Sequence, residues 1–154
     1  MQEIEIFCDG SSLGNPGPGG YAAILRYKDK EKIISGGESF TTNNRMELKA
    51  LNEALKILKR PCRIMLYSDS QYVCQAINVW LANWQKKNFS KVKNVDLWKE
   101  FLEVSNGHLI MAVWIKGHNG HAENERCDSL AKIEAQKRTK TTKGKNDEKQ
   151  TLSK

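Results

Sequence analysis

Four carboxylates stand where a folded chain could bring acids together. Asp9 follows the apolar run Ile4–Cys8 in IEIFCDGSS, and Asp69 follows a second run in IMLYSDS. Each run reads as a short strand that delivers an acid to a sheet edge, with Gly10 turning the chain after the first. If the two strands are adjacent and parallel, both carboxylates meet at their C-terminal ends, where open α/β sheets place their ligands. Glu47 in TTNNRMELKALNEALKILKR and Asp128 in HAENERCDSLA are expected in the first turns of helices. Adjacent carboxylates repel, and a hard divalent cation is the usual reason for them to share a site. Mg2+ binds few carboxylates and keeps waters, so four acids fit two ions bridging a phosphate.

Each acid also has a plain structural reading. Asp69 could be only a helix N-cap, Glu47 only the third residue of a capping box begun by Asn44, and Asp128 only a favourable charge at a helix start. Those readings account for the acids one at a time. They do not account for four acids converging on one edge.

The elements that must position these acids follow from the apolar pattern. Alternation over Tyr21–Lys28 and a weaker run over Ile33–Phe40 add two strands, which with Ile4–Cys8 form an antiparallel meander. In the following helix Leu51, Ala54, Leu55 and Leu58 form one stripe, and Glu47 heads it, so its side chain points at the sheet. The consecutive apolar residues of Ile64–Tyr67 suit a strand covered on both faces. Asp69–Asn78 starts a helix with Asp69 or Ser70 near its cap. Asp96–Val104 is a helix, Leu109–Ile115 a strand, and about Glu125–Lys137 the last helix.

The chain has 154 residues, 28% of them charged, with a formal charge of +7. That length suits one domain with a proper core. Residues 139–154 carry +3 of the charge and almost no apolar side chains, so a domain over 1–138 and a disordered basic tail over 139–154 are expected. A basic balance favours a polyanionic partner, although solubility alone also explains it. No apolar run reaches membrane-spanning length and the N-terminus does not read as a signal peptide, which leaves the cytoplasm. Cys8, Cys62, Cys74 and Cys127 form no CxxC pair and read as small buried residues. A zinc site of Cys127 with His118 and His121 would lack a fourth ligand and a compact spacing.

The stretch WLANWQKKNFSKVK interleaves Trp80, Trp84 and Phe89 with Lys86, Lys87, Lys91 and Lys93. Tryptophans four apart on a helix serve core packing or base stacking equally well. His118, between Gly117 and Gly120, sits in a loop that can swing and titrates near neutral pH, which suits a proton shuttle; an exposed loop histidine is the plain alternative. His121 is expected only to hold that loop together.

The segments FCDGSSLGNPGPGGYAAIL, TTNNRMELKALNEAL, LYSDSQYV, KNVDLW and WIKGHNGHAENERCDSLA, in that order, resemble type 1 ribonuclease H of the bacterial ribonuclease HI group. The resemblance covers about Ile4 to about Lys137. It implies an α/β ribonuclease H-like fold, a five-stranded mixed sheet of order 3-2-1-4-5 with helices on both faces. It implies hydrolysis of the RNA strand of RNA–DNA hybrids, leaving 5′-phosphate and 3′-hydroxyl ends, by a monomer using two Mg2+ ions, with Mn2+ able to substitute. The family's acidic quartet falls on Asp9, Glu47, Asp69 and Asp128, and its loop histidine on His118. Its minor-groove contacts fall on Asn15, Asn43, Asn44 and Gln71, and its DNA-phosphate pocket includes Thr42. Trp80, Trp84, Lys86 and Lys87 complete the expected substrate surface. In one departure, Asn88–Lys93 looks several residues short of the family's basic protrusion, which would weaken substrate grip and leave the chemistry intact. A hybrid-binding module without catalysis and another metal nuclease of the same superfamily are the competing readings; the intact quartet opposes the first and the detailed motifs the second.

Overall fold

The computed structural model describes residues 1–116 and 121–147, with residues 140–147 as backbone only. Five strands form one sheet of order β3-β2-β1-β4-β5: β1 (Gln2–Ser12), β2 (Gly17–Tyr27), β3 (Lys30–Thr41), β4 (Cys62–Ser68) and β5 (Leu109–Trp114). The first three pair antiparallel, as the meander requires, while β4 runs parallel to both β1 and β5. The sequence order and the sheet order therefore match expectation.

Side-chain alternation divides the sheet into two faces. Ile4, Ile6, Cys8, Ala23, Leu25, Ile64 and Leu66 join the larger core with α1 (Asn43–Lys56) and α4 (Val95–Val104). Phe7, Ala22 and Ile24 face the other way, against Cys127 of α5 (Ala122–Asp147). Each buried leucine or isoleucine of the larger core is worth about 1.5–3 kcal/mol relative to exposure. Strand β4 alternates buried with half-buried or exposed residues. Met65 and Tyr67 thus lie on a partly open face, where coverage on both sides was expected. All four cysteines are free and buried, as their scatter indicated.

The helices differ from expectation at their starts. Thr42, not Asn44, caps α1: its side chain accepts from Arg45 N. Ser70 caps α2 (Gln71–Gln75) by accepting from Val73 N. A π-helical turn, Ala76–Trp80, then leads into α3 (Leu81–Lys86). From that turn the Asn78 amide donates to Ala112 O and accepts from Ala112 N, closing the outer edge of β5 at its middle. Helix α5 starts at Ala122, earlier than Glu125, and continues to Asp147, so residues 139–147 extend the helix where a disordered tail was expected. Among the described residues no helix is long and apolar enough to cross a membrane.

Candidate active site

Strand β1 does not end at Asp9. Its parallel pairing with β4 stops at Phe7–Tyr67, whereas its antiparallel pairing with β2 continues to Ser12–Gly19. Asp9 sits at the step where β4 has left the sheet, and Asp69 follows the end of β4. Gly10 does not turn the chain. A side chain there would collide with the backbone at Met46 and Glu47, so the missing Cβ lets the start of α1 lie against β1. That close approach sets Glu47 beside Asp9.

The three acids meet. One carboxylate oxygen from each of Asp9, Glu47 and Asp69 lies within 4.8 Å of the others, with Asp9 and Glu47 buried and Asp69 half-buried. The capping alternatives fall away for two of them. Ser70 caps α2, which frees Asp69 from that role. Glu47 lies five residues beyond the Thr42 cap, outside a capping box. Asp128 is not part of the close trio. It lies well inside α5 instead of in its first turn, pairs with Lys132 at 3.0 Å, and is near enough for its charge to act on Asp9.

The electrostatics of the trio are unfavourable to charge. Burial, with the Asp69 charge next among the opposing influences, pushes the Asp9 carboxyl up to about 7, against hydrogen bonds from Glu47 and Gly10 N. Burial and then the Asp9 charge hold Glu47 well above the ordinary carboxylate range. The second Glu47 oxygen, Oε1, is buried with no hydrogen-bond partner. A buried oxygen without a partner and a crowded set of oxygen donors fit a hard divalent cation, which would satisfy the first and neutralise the second.

Asn43, Asn44 and Gln71, three of the expected substrate residues, stand at the starts of α1 and α2, the asparagines in the helix that carries Glu47 and Gln71 two residues after Asp69. Asn43 Oδ1 accepts from Ser12 N at 2.8 Å and from the Ser12 hydroxyl at 3.2 Å, and Asn15 Oδ1 accepts from Asn43 N at 3.1 Å. Asn44 and Gln71 are exposed at the starts of α1 and α2. The structure separates the two tryptophans. Trp80 is exposed, whereas Trp84 is half-buried with its ring 5.6 Å from the fully buried Trp98. Lys86 and Lys87 are exposed. His118, with Gly117 and Gly120, lies outside the described residues; His121 is exposed, and its carbonyl accepts from Glu125 N in the first turn of α5.

Three supporting residues escaped sequence reasoning. Ser12 orients Asn43; a hydroxyl after the Asp9 strand was a visible signal, but its partner thirty-one residues on was not. Trp114 Nε1 donates to Asp69 O at 3.0 Å, fixing the backbone behind that acid. Arg45 reaches across to Asp96 and Asn94, a long-range link no local pattern announces.

The RNase H family model matches residues 1–136. The chain belongs to the ribonuclease H family. A Ribonuclease H from Helicobacter pylori strain HPAG1 is 94% identical over 92% of this chain and 99% of that relative. Membership makes the chain a metal-dependent endonuclease that cleaves RNA in RNA–DNA hybrids. Among solved structures, LC9-RNase H1, a type 1 enzyme with the type 2 active-site motif, superposes with a TM-score of 0.82 at 28% identity, covering 90% of this chain and 74% of that one. LC11-RNase H1, crystallised with an RNA/DNA hybrid, shares the fold with a TM-score of 0.63 at 23% identity, covering 87% of this chain and 97% of that one.

Proposed function

We propose that the chain hydrolyses the RNA strand by in-line displacement at a site holding two Mg2+ ions, leaving 5′-phosphate and 3′-hydroxyl ends, with Mn2+ able to substitute. The observation that carries this reading is the trio Asp9, Glu47 and Asp69 with its partnerless buried oxygen. These three residues would hold the ions, with Asp128 at the margin. Bound there, divalent cations supply Lewis-acid chemistry: they activate a water and offset negative charge on the phosphate and the leaving oxygen.

The remaining roles belong to the chain's own side chains. Asn15 and Asn43 use their carbonyl oxygens internally, so each presents its NH2 group outward as a donor. Minor-groove acceptors occur on every base pair, so such donors grip a duplex without reading its sequence. Asn44 and Gln71 keep donor and acceptor together, which suits the 2′-hydroxyl that distinguishes RNA. The Thr42 hydroxyl accepts from Arg45 N and keeps its hydrogen for a phosphate oxygen. Trp80 offers a stacking surface backed by Trp84, and Lys86 and Lys87 meet phosphates away from the cut. His118 moves a proton near the reacting phosphate. Residues 1–138 form the catalytic domain, and the positive charge beyond Thr139 adds sequence-independent attraction. The enzyme works as a cytoplasmic monomer.

The test is cleavage of an RNA–DNA hybrid, an RNA duplex and a DNA duplex, each with Mg2+ and with EDTA. Cutting is expected only of the hybrid, only in the RNA strand and only with the ion. Equal cutting of the DNA duplex would overturn the 2′-hydroxyl argument, and cutting in EDTA would overturn the metal assignment.

A further inference from the structure

The helical run that follows Asp69 is not straight. It begins as α2, passes through the π-turn Ala76–Trp80 and ends as α3. At the end of that turn Leu81 N donates to Ala76 O, five residues back instead of four. The turn thus holds one residue more than an α-helical turn, and every side chain beyond it falls back by about 100°.

That rotation decides where Trp80 points. Val73, Cys74 and Ala76 are buried and mark the side of the run that packs on the core. Trp80 follows Val73 by seven residues. In an unbroken α-helix seven residues bring a side chain back to within about 20° of its start. Trp80 would then lie between Ala76 and Cys74, on the packed side. The extra residue carries it instead to about 120° from Val73. Trp80 is accordingly 38% exposed, while Leu81 packs on the core at 9%. The Trp80 ring keeps Trp84 beside it, with centroids 5.8 Å apart.

A wider turn of this kind is rare and needs something to hold it. Asn78, at its midpoint, supplies the hold. Its Nδ2 donates to Ala112 O at 2.9 Å, and its Oδ1 accepts from Ala112 N at 3.3 Å. Ala112 belongs to β5, which is fixed in register on β4 and cannot follow a rotation of the turn. Straightening the run would pull Asn78 off both bonds.

We infer that Asn78 is a positioning residue for the substrate surface: its paired bonds to Ala112 hold the π-turn, and the π-turn keeps Trp80 out of the core and open to a base of the hybrid. The inference rests on the stacking role proposed above for Trp80. Asn78 acts through that ring.

The test removes the hold and keeps the volume, with Asn78→Leu. Without substrate, acrylamide quenching of tryptophan fluorescence should fall in this variant, as Trp80 swings back toward the packed side. In a Trp80→Phe background the same change should leave quenching as it was. On an RNA–DNA hybrid, Asn78→Leu is expected to raise KM about two- to fivefold with kcat unchanged, a share of what a stacked base contributes. Trp80→Ala should raise KM at least as far, and adding Asn78→Leu to it should change little more. The slope of binding against salt should stay as in wild type, because no phosphate contact is lost. Unaltered quenching in Asn78→Leu would overturn the inference. So would a flattened salt slope, a KM increase that persists undiminished in the Trp80→Ala background, or a lowered Tm with KM unaltered. If Trp80→Ala itself matches wild type on the hybrid, the stacking assignment fails and the inference falls with it; failure of wild type to cut the hybrid would instead sink the functional reading itself.

Discussion

The acidic notch of Asp9, Glu47 and Asp69 and the basic handle over residues 80–94 are held by opposite means. In the notch, Asp9 and Glu47 are buried and crowded by Asp69, and burial is the leading cause of their raised pKa values. Its geometry is set by the sheet, by the absence of a side chain at Gly10 and by the Ser70 cap. In the handle, Lys86 and Lys87 are solvated and screened, and the backbone takes left-handed conformations at Asn88, Phe89, Lys91 and Asn94. Such conformations cost roughly 1–2 kcal/mol per residue for side chains other than glycine. Phe89 and Val92, packed against the core, and the Trp84–Trp98 contact hold it in place. The notch stores electrostatic strain that an ion can release. The handle stores conformational strain and offers charge that salt can hide.

The difference is broken most sharply at Asp9. Asp9→Asn is expected to abolish cleavage while hybrid binding largely survives, since the amide keeps the shape and loses the charge; cleavage at the wild-type rate would remove Asp9 from the site. His118→Ala should lower kcat by roughly 10- to 1,000-fold with little change in KM or Mg2+ affinity, because water can replace a proton carrier. His121→Ala is the control and should matter much less, and equal losses would end the shuttle assignment.

Stability sharpens the same contrast. The Asp9 carboxyl sits at about 7 in the fold and near about 3.9 in an unfolded chain. Between those values the folded state holds the extra proton, so its stability falls as pH rises through that window. In EDTA, Asp9→Asn should therefore match wild type near the lower end and exceed it above the upper end by roughly 1–3 kcal/mol, about 3–10 °C in Tm. Mg2+ should close that gap, since the ion stabilises the ionised trio. A difference in Tm independent of pH would show that repulsion in the notch is not the cause. The smallest effect belongs to the handle: Lys86→Ala with Lys87→Ala should raise KM more than it lowers kcat, and flatten the log–log salt slope by about 0.7–0.9 per lost contact. An unchanged slope would mean the handle does not reach the duplex.

The notch was legible because its parts are local patterns. An apolar run followed by an acid marked Asp9 and Asp69, and the leucine stripe aimed Glu47 at the sheet. What failed were boundaries. Thr42, Asn43 and Asn44 can all cap a helix, and so can Asp69 and Ser70; which one does is settled by the geometry that brings a side-chain oxygen to the right N–H. Asp128 seemed a first-turn charge because the start of α5 was placed too late, and its separation from the trio depends on how α5 crosses the sheet. The two tryptophans, equivalent by spacing, are separated by a ring from α4 that no local window contains. The link from Arg45 to Asn94 and Asp96 was invisible for the same reason: its members are far apart in the chain and joined only by the fold.

Asn78 carries a consequence for the molecule in crowded solution. The outer edge of β5 would otherwise offer a row of unsatisfied peptide groups, flanked by the exposed side chains of Leu109 and Met111. Strand edges of that kind recruit strands from other molecules. A primary amide has the same donor and acceptor as a peptide bond, and Asn78 applies both to Ala112. One side chain thus imitates a sixth strand for the length of a single residue, enough to interrupt any incoming ladder at its centre. Protection of the sheet edge is built into the same helical run that carries Gln71 and Trp80, so the proposed substrate contacts and the guard on β5 share one element.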